Sequence, residues 1–145
     1  MSTVGTILSD KGTEVHTIPA TVSVLEATQV MNQYKIGALV VTEGDQLKGI
    51  FTERDVLRRV VGNPTPPAEI SVADVMTEDV MWCTPDTEID AAGRIMRDCR
   101  VRHLPVCDNK GHLVGLLSIG DINAYNVRDQ EATIQFMNEY IHGRV

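Results

Sequence analysis

An internal repeat constrains this chain more than any other feature of its sequence. Residues 21–41, "TVSVLEATQVMNQYKIGALVV", align with residues 86–106, "DTEIDAAGRIMRDCRVRHLPV". Further along, "GIFTERD" (49–55) aligns with "GLLSIGD" (115–121), after a one-residue insertion in the intervening turn. Insertions belong in turns, which tolerate changes of length. A repeated sequence predicts a repeated structural unit, so we expect two copies packed against each other.

Each copy has the pattern strand, helix, strand, strand, helix. Apolar residues recur at helical spacing in the first helix of each copy, at Val24, Ala27, Met31 and Tyr34 and at Ile89, Ala92, Met96 and Cys99. Ser23 and Glu26 match a capping box. Two short apolar runs joined by a glycine-containing turn then predict a hairpin. Pro105 cannot donate a ladder hydrogen bond, so its strand should be an edge or paired on one side there. The predicted fold class is α/β (α+β), with two β-α-β-β-α units related by a pseudo-two-fold axis.

Each copy also has a lead-in, since "VGTILS" (4–9) resembles "VADVMT" (72–77). Between the copies, "GNPTPPAEI" contains three prolines and a glycine, a composition typical of a linker. We therefore place the first unit at residues 1–66 and the second at 67–145.

Composition excludes several partners. The 145 residues carry a formal charge of −7, which argues against nucleic acid or an anionic membrane as the main partner. No apolar run approaches the roughly 20 residues of a membrane span. Three cysteines without a CxxC pair suit a reduced, cytoplasmic protein, with a redox role for one of them as an alternative. The four histidines show no metal-ligand spacing.

The repeated phrase contains a hydroxyl residue and, three positions later, an acid: Thr52 with Asp55, and Ser118 with Asp121. Each pair matches a loose capping box at the start of a helix. A functional interpretation rests on two points. Glutamate or glutamine is preferred over aspartate for the box, and the preceding Gly is unfavourable inside a strand unless something approaches closely. A helix N-terminus with a hydroxyl suits a phosphate, and the carboxylate could accept the two hydroxyls of a ribose. Both interpretations remain open at this point.

With these motifs, the chain closely resembles a tandem pair of cystathionine-β-synthase (CBS) domains, or Bateman module, of the short stand-alone type. The resemblance rests on both β-α-β-β-α copies, "DVMT", "RVRHLPV", "FTERD", "LSIGD" and the ending "YIHG" (140–143). It implies an adenosyl ligand, such as AMP, ADP, ATP, NAD or S-adenosylmethionine, in clefts between the copies. It also implies that two modules stack as a homodimer.

The resemblance assigns candidate ligand-binding roles residue by residue. It implies that Asp55 and Asp121 bind ribose, and that Thr52 and Ser118 contact phosphate. It places three cations in the family's basic stretch before the second-copy strand, and one threonine beside the adenine; these are Arg100, Arg102, His103 and Thr84. Arginine forks bind phosphate bidentately, although cations at a helix end can also simply be solvated.

The first copy departs from this pattern, because it carries "KIGA" (35–38) where the second carries "RVRH" (100–103). Gly37 and Ala38 offer no charge, so the two clefts should differ, and Arg54 is a candidate replacement cation. Trp82 is expected in the core or in dimer packing rather than as a base-stacking platform. Apolar residues on one face of the C-terminal helix suit packing or dimerisation: Ile134, Met137 and Ile141.

Three classes of function follow. The first is a non-catalytic adenosyl-nucleotide sensor that acts as a dimer on a client protein in trans, without a required cofactor or metal. The second is a dimeric interaction scaffold whose clefts are degenerate. The third is a nucleotide hydrolase or transferase, for which no nucleophile and base pair or metal cluster is visible in the sequence.

Overall fold

The computed structural model describes residues 2–141. His142 and Gly143 of the "YIHG" ending therefore lie outside the described residues. The elements run, in chain order, as α1 (Val4–Lys11), β1 (Thr17–Pro19), α2 (Val24–Tyr34), β2 (Ala38–Glu43), β3 (Gln46–Thr52), α3 (Glu53–Asp55), a π-helical turn (Val56–Val60), a 3₁₀ turn (Pro67–Glu69), α4 (Val72–Val75), α5 (Ile89–Cys99), β4 (His103–Cys107), β5 (Leu113–Ser118) and α6 (Ile119–Ile141). This mixed fold confirms the predicted class. No helix in the part of the chain described is long and apolar enough to cross a membrane.

The first copy has all five predicted elements. Its sheet has the order β1-β2-β3, in which β1 is parallel and β3 antiparallel to β2. Ser23 caps α2 by accepting a hydrogen bond from the Glu26 N–H at 3.1 Å. Three of the four predicted apolar residues of α2 are buried, whereas Tyr34 is exposed and stacks on His16 with ring centroids 4.1 Å apart.

The second copy lacks the predicted first strand, and Pro105 supplies the physical reason. In the first copy, the Val40 N–H donates to the carbonyl of His16 and ties β1 to β2. Pro105 occupies the position of Val40 in the repeat and has no N–H to donate. Only one parallel bridge remains there, between Cys83 and Val106. The sheet is β4-β5 alone, so β4 is an edge strand, one of the two predicted alternatives, although the Pro105 carbonyl still accepts from the Cys83 N–H at 3.0 Å.

The lead-in helices are exchanged between the copies. Buried residues of α4, including Val72 and Val75, belong to the core built around α2 and the first sheet. Conversely Val4, Ile7 and Leu8 of α1 complete the core around α5 and the second sheet. The predicted boundary between residues 66 and 67 stays a prediction about the sequence repeats, since each core draws on both sides of it. The exchange ties the two copies into one folded unit.

The exchange also explains the glycine at the start of each repeated phrase. A Cβ on Gly49 would lie 2.7 Å from the Thr77 carbonyl oxygen and 2.9 Å from the Met76 sulfur. A Cβ on Gly115 would lie 2.9 Å from the methyl carbons of Leu8. The close approach that these strand glycines require is therefore made by the exchanged lead-in segments. A ligand is not needed to account for them.

Candidate functional site

A cavity of about 530 Å³ separates the two copies on one side, and we call it the first cleft. Both copies contribute to its wall. Its lining comprises Gly37, Ile50, Thr52, Glu53, Arg54, Asp55, Thr77, Asp79, Val80, Met81, Cys99, Val101, Arg102 and His103. The apolar members lie beside charged ones, a mixture typical of ligand pockets of this size.

A smaller cavity of about 270 Å³ occupies the position related by the repeat, and we call it the second cleft. Its lining comprises Lys11, Glu14, Val15, His16, Ile36, Gly37, Ala38, His103, Leu116 and Ser118. The alignment places Ser118 here where the first cleft has Thr52, and Gly37 where the first cleft has Arg102. The predicted inequality of the two clefts therefore appears as a difference in volume and in charge.

The cations and acids are paired differently from the sequence-based expectation. We expected the basic stretch to serve the second-copy motif, and the first-copy motif to depend on Arg54. Instead Arg102 and His103 line the first cleft together with Thr52 and Asp55. A direct contact between the copies accompanies this arrangement, because the Arg54 guanidinium of the first-copy motif donates to the Arg100 carbonyl, just before the second-copy strand, at 2.9 Å. Each cleft thus combines a motif from one copy with the strand start of the other.

Asp55 is buried, with 5% of its surface exposed. Its Oδ2 accepts hydrogen bonds from the Thr52 N–H at 3.0 Å and from the Thr52 hydroxyl at 3.2 Å, while its Oδ1 accepts from the Thr77 hydroxyl at 3.2 Å. The Thr52 hydroxyl accepts in turn from the Asp55 N–H at 3.4 Å. This is a complete capping box, so our argument that aspartate is poorly suited to the box was wrong.

Asp121 forms the same box but remains more accessible. Its Oδ2 accepts from the Ser118 N–H at 2.9 Å, and the Ser118 hydroxyl accepts from the Asp121 N–H at 3.1 Å. The same Oδ2 forms an ion pair with Lys11 at 2.7 Å, and 23% of the Asp121 side chain is exposed. Burial acts to raise the pKa of Asp121, but the hydrogen bonds from Lys11 and Ser118 and the Lys11 charge hold the pKa below its ordinary value.

Among the predicted cations, Arg102 is the one free to bind an anion in the first cleft. Its exposed side chain forms no hydrogen bond or ion pair with any residue in the range 2–141. Arg54 also lines this cleft, but its guanidinium donates to the Arg100 carbonyl at 2.9 Å. Arg100 itself ends α5 in the left-handed conformation, with φ of 56°, and is absent from the lining of either cleft.

His103 forms part of the wall of both clefts. Burial lowers the pKa of His103, and the nearby charge of Arg102 lowers it further. Asp121 and Glu53 oppose this shift, and Lys11 adds to it. The imidazole is therefore neutral at pH 7. A bound anion would favour the charged form.

Two other predicted positions lie outside the clefts. Thr84 is half-buried, and its N–H and hydroxyl face the Thr87 hydroxyl at 3.2 and 3.4 Å, just before α5. Trp82 is 47% exposed, so it is not a core residue.

Among the cysteines, burial raises the pKa of Cys83 to about 11 and raises that of Cys107 as well, which disfavours a reactive thiolate at both.

Sequence reasoning missed three polar residues that the exchanged lead-ins bring to the clefts: Lys11, Thr77 and Asp79. Thr77 is bonded to Asp55, and Lys11 to Asp121. The signal was the lead-in repeat, "VGTILSDK" against "VADVMTED", which aligns Lys11 with Asp79. This repeat is visible in the sequence, but no role in the site was predicted from it.

Comparison with known proteins identifies the family. The CBS domain model matches the chain twice, over residues 4–62 and 72–127. The chain belongs to the CBS-domain family. The first and second clefts therefore lie between two CBS domains. The 65-residue offset between Met31 and Met96 is the distance in sequence between equivalent positions of these domains.

Relatives extend this assignment. The CBS pair is 39% identical over 126 residues to the mitochondrial CBS domain-containing protein CBSX3 of Arabidopsis thaliana, covering 83% of this chain and 61% of that protein. Among solved structures, it is similar to the CBS domain NE2398 (TM-score 0.84, 37% identity, 88% of this chain and 99% of that one). It is also similar to a putative signal-transduction protein with CBS domains from Burkholderia ambifaria (TM-score 0.83, 38% identity, 89% and 96%).

Proposed function

We propose that this CBS pair is a non-catalytic regulatory module that binds an adenosyl ligand in the clefts between its copies. Two solved modules of the same fold, at 21% and 23% identity, contain such ligands: CBSX2 with AMP, and the MJ0100 pair with 5′-methylthioadenosine and S-adenosylmethionine. At that identity the likeness concerns the fold, so the ligand proposed for this chain rests on its own residues.

The unpaired guanidinium of Arg102 in a 530 Å³ cleft is the observation that carries the proposal. A guanidinium without a carboxylate partner offers its donors to a phosphate. Thr52 lines the same cleft and marks the N-terminal end of the short helix α3. Ile50, Val80 and Met81 supply an apolar wall for a base. The cleft thus provides a cation and an apolar surface, as a nucleotide requires.

The ribose assignment differs between the copies. Asp121 has its Oδ1 free of the hydrogen bonds described for Oδ2, and it is partly exposed, so it can accept ribose hydroxyls without rearrangement. Asp55 has both oxygens engaged and is buried. Binding of ribose at Asp55 requires the Thr77 hydroxyl to release Oδ1. We propose that both acids serve ribose, with Asp55 becoming available only after this release.

The alternative is a dimeric scaffold with degenerate clefts. The complete capping boxes favour this alternative, because they explain both Asp55 and Asp121 without a ligand. Catalysis is not part of the proposal. Each candidate acid has a structural role at a helix start. The hydroxyls bonded to Asp55 belong to Thr52 of the capping box and to Thr77, and their hydrogen bonds account for them without a nucleophilic role.

We also propose a homodimer that involves α6. Apolar residues recur at intervals of seven along its outer part, at Val127, Ile134 and Ile141, with Met137 between the last two, and each is at least half exposed. A heptad spacing is typical of helices that pair with a like helix. The segment that carries this stripe, residues 127–141, is 15 residues long, and an isolated helix of about that length is only marginally stable in water. Pairing with a second copy would bury the stripe.

The module is proposed to act in trans on a client protein in a cytoplasmic, reducing compartment, where Cys83, Cys99 and Cys107 remain free thiols. The plant relative's mitochondrial assignment belongs to that protein. Fractionation of cells and capture of the client with AMP present or absent would test this part separately.

Native mass spectrometry of freshly purified protein tests the ligand proposal. A retained adenylate mass on a dimer supports the module, whereas an empty dimer supports the scaffold. Conversion of an added nucleotide would indicate an enzyme. Asp121→Ala should weaken adenosyl-ligand binding by about 1.5–3 kcal/mol, the scale of hydrogen bonds to a charged group. Unchanged affinity in both Asp55→Ala and Asp121→Ala would leave only the capping role.

A further inference from the structure

Lys11 ends α1 beside the second cleft, and the proposed function does not use it. Its Nζ donates to Asp121 Oδ2 at 2.7 Å and to the Leu116 carbonyl at 2.9 Å. An ammonium has three N–H donors, so one donor remains for a further acceptor. The Lys11 side chain is 35% exposed, and Ser118 and His16 lie in the same lining. An ion-pair partner of the candidate ribose acid is therefore itself within reach of a ligand.

The first cleft carries no equivalent cation at this position. Lys11 aligns with Asp79, which lines the first cleft. In that cleft Asp55 is held by hydroxyl and amide donors. The two clefts therefore carry opposite charges at this aligned position, Lys11 in the second and Asp79 in the first. The second cleft has Gly37 where the first has Arg102, so Lys11 is its principal cation.

We propose that Lys11 is the residue by which the second cleft selects anionic ligands over neutral nucleosides; this inference rests on the proposed function. Asp121 lies next to the second cleft rather than in its lining, and Lys11 joins the two. The ammonium partly neutralises Asp121 and occupies its Oδ2, so the carboxylate accepts weakly from the ribose of a neutral nucleoside. A phosphate or carboxylate on the ligand instead receives the remaining N–H of Lys11. The same contact thus opposes one ligand class and favours the other.

The test compares Lys11→Met with the wild-type protein, using adenosine and AMP as ligands. The side-chain NMR resonances of His16 report the second cleft, because His16 lines that cleft alone. Fluorescence of Trp82, which follows the lining residue Met81, reports the first. Lys48→Met is the matched control, because Lys48 pairs with Glu43 on the surface at 3.2 Å. Lys11→Arg keeps the charge.

At the second cleft, Lys11→Met should lower the preference for AMP over adenosine by about tenfold or more, in line with loss of one charge-assisted hydrogen bond. Adenosine affinity should be unchanged or higher. Lys11→Arg and Lys48→Met should keep the preference. An unchanged preference in Lys11→Met, or equal loss for both ligands, would overturn the proposal. AMP binding that changes the Trp82 fluorescence but not the His16 NMR resonances would also overturn the proposal, because AMP would then occupy the first cleft alone. The proposed function would still stand in that case. Binding of neither ligand to the wild-type protein would overturn this proposal, whereas the proposed function fails only if ATP, NAD and S-adenosylmethionine do not bind either.

Discussion

Replacing Asp55 with alanine should lower the free energy of unfolding by about 2–4 kcal/mol. Loss of the side chain removes the half of the capping box that Asp55 supplies, while the Thr52 hydroxyl can still accept from the backbone N–H of residue 55. It also leaves the Thr52 N–H and the Thr77 hydroxyl, 3.0 and 3.2 Å from its oxygens, without their acceptor in a buried region. Unsatisfied buried donors cost about 1–3 kcal/mol. For a domain of this size the melting temperature should fall by roughly 4–12 °C.

Asp121→Ala is the matched control, because it removes the same half of a capping box from a partly exposed site. There the freed Lys11 amine can reach water, so the loss should stay near 1 kcal/mol. Urea unfolding of wild type and both variants at pH 7, at equal protein concentration, measures the difference. Equal losses in the two variants would refute the reasoning that burial makes Asp55 the structural acid of the pair.

Three further predictions concern single substitutions. Arg102→Ala should weaken AMP and ATP at the first cleft far more than adenosine, with only modest salt dependence, and a uniform change measured by calorimetry would contradict a phosphate contact. Gly49→Ala should destabilise by about 1–3 kcal/mol because its Cβ would meet a backbone oxygen, whereas Gly115→Ala should cost less because it meets flexible methyl groups; equal unfolding midpoints would contradict this. The pKa of His103 is lowered in the free protein, so an anion that raises this pKa should bind more tightly as the pH falls from 7.5 to 6. His103→Gln should reduce the pH dependence of the affinity to that caused by titration of the phosphate itself. Parallel affinity–pH profiles for wild type and variant would argue against a contact between His103 and the anion.

Much of the fold could be predicted from local patterns. Helical periodicity located α2 and α5, and the hydroxyl residues marked the starts of α3 and α6. Local patterns do not report where a segment packs, and so the exchange of α1 and α4 between the cores was not foreseen. The missing strand of the second copy was foreseeable, because Pro105 lacks the N–H that Val40 uses.

The candidate site was predictable as a set of residues but not as an arrangement. Five of the predicted residues line the clefts, namely Thr52, Asp55, Arg102, His103 and Ser118, whereas Arg100 and Thr84 do not, and Asp121 lines a neighbouring cavity that shares Lys11 with the second cleft. Their pairing across the copies depends on contacts between residues distant in sequence, such as that of the Arg54 guanidinium with the Arg100 carbonyl. The different burial of Asp55 and Asp121 likewise depends on tertiary packing, since their local sequences are alike.

Calorimetric titration of the purified protein tests the central claim, adenosyl-ligand binding, most directly. AMP, ATP, NAD and S-adenosylmethionine are compared with guanosine 5′-monophosphate, which has the same phosphate and ribose on a different base. The account predicts saturable binding of at least one adenosyl ligand, weakened by Asp121→Ala, and weaker or no binding of the guanosine nucleotide. Absence of binding by all four adenosyl ligands, or equal affinity for the guanosine nucleotide, would contradict it.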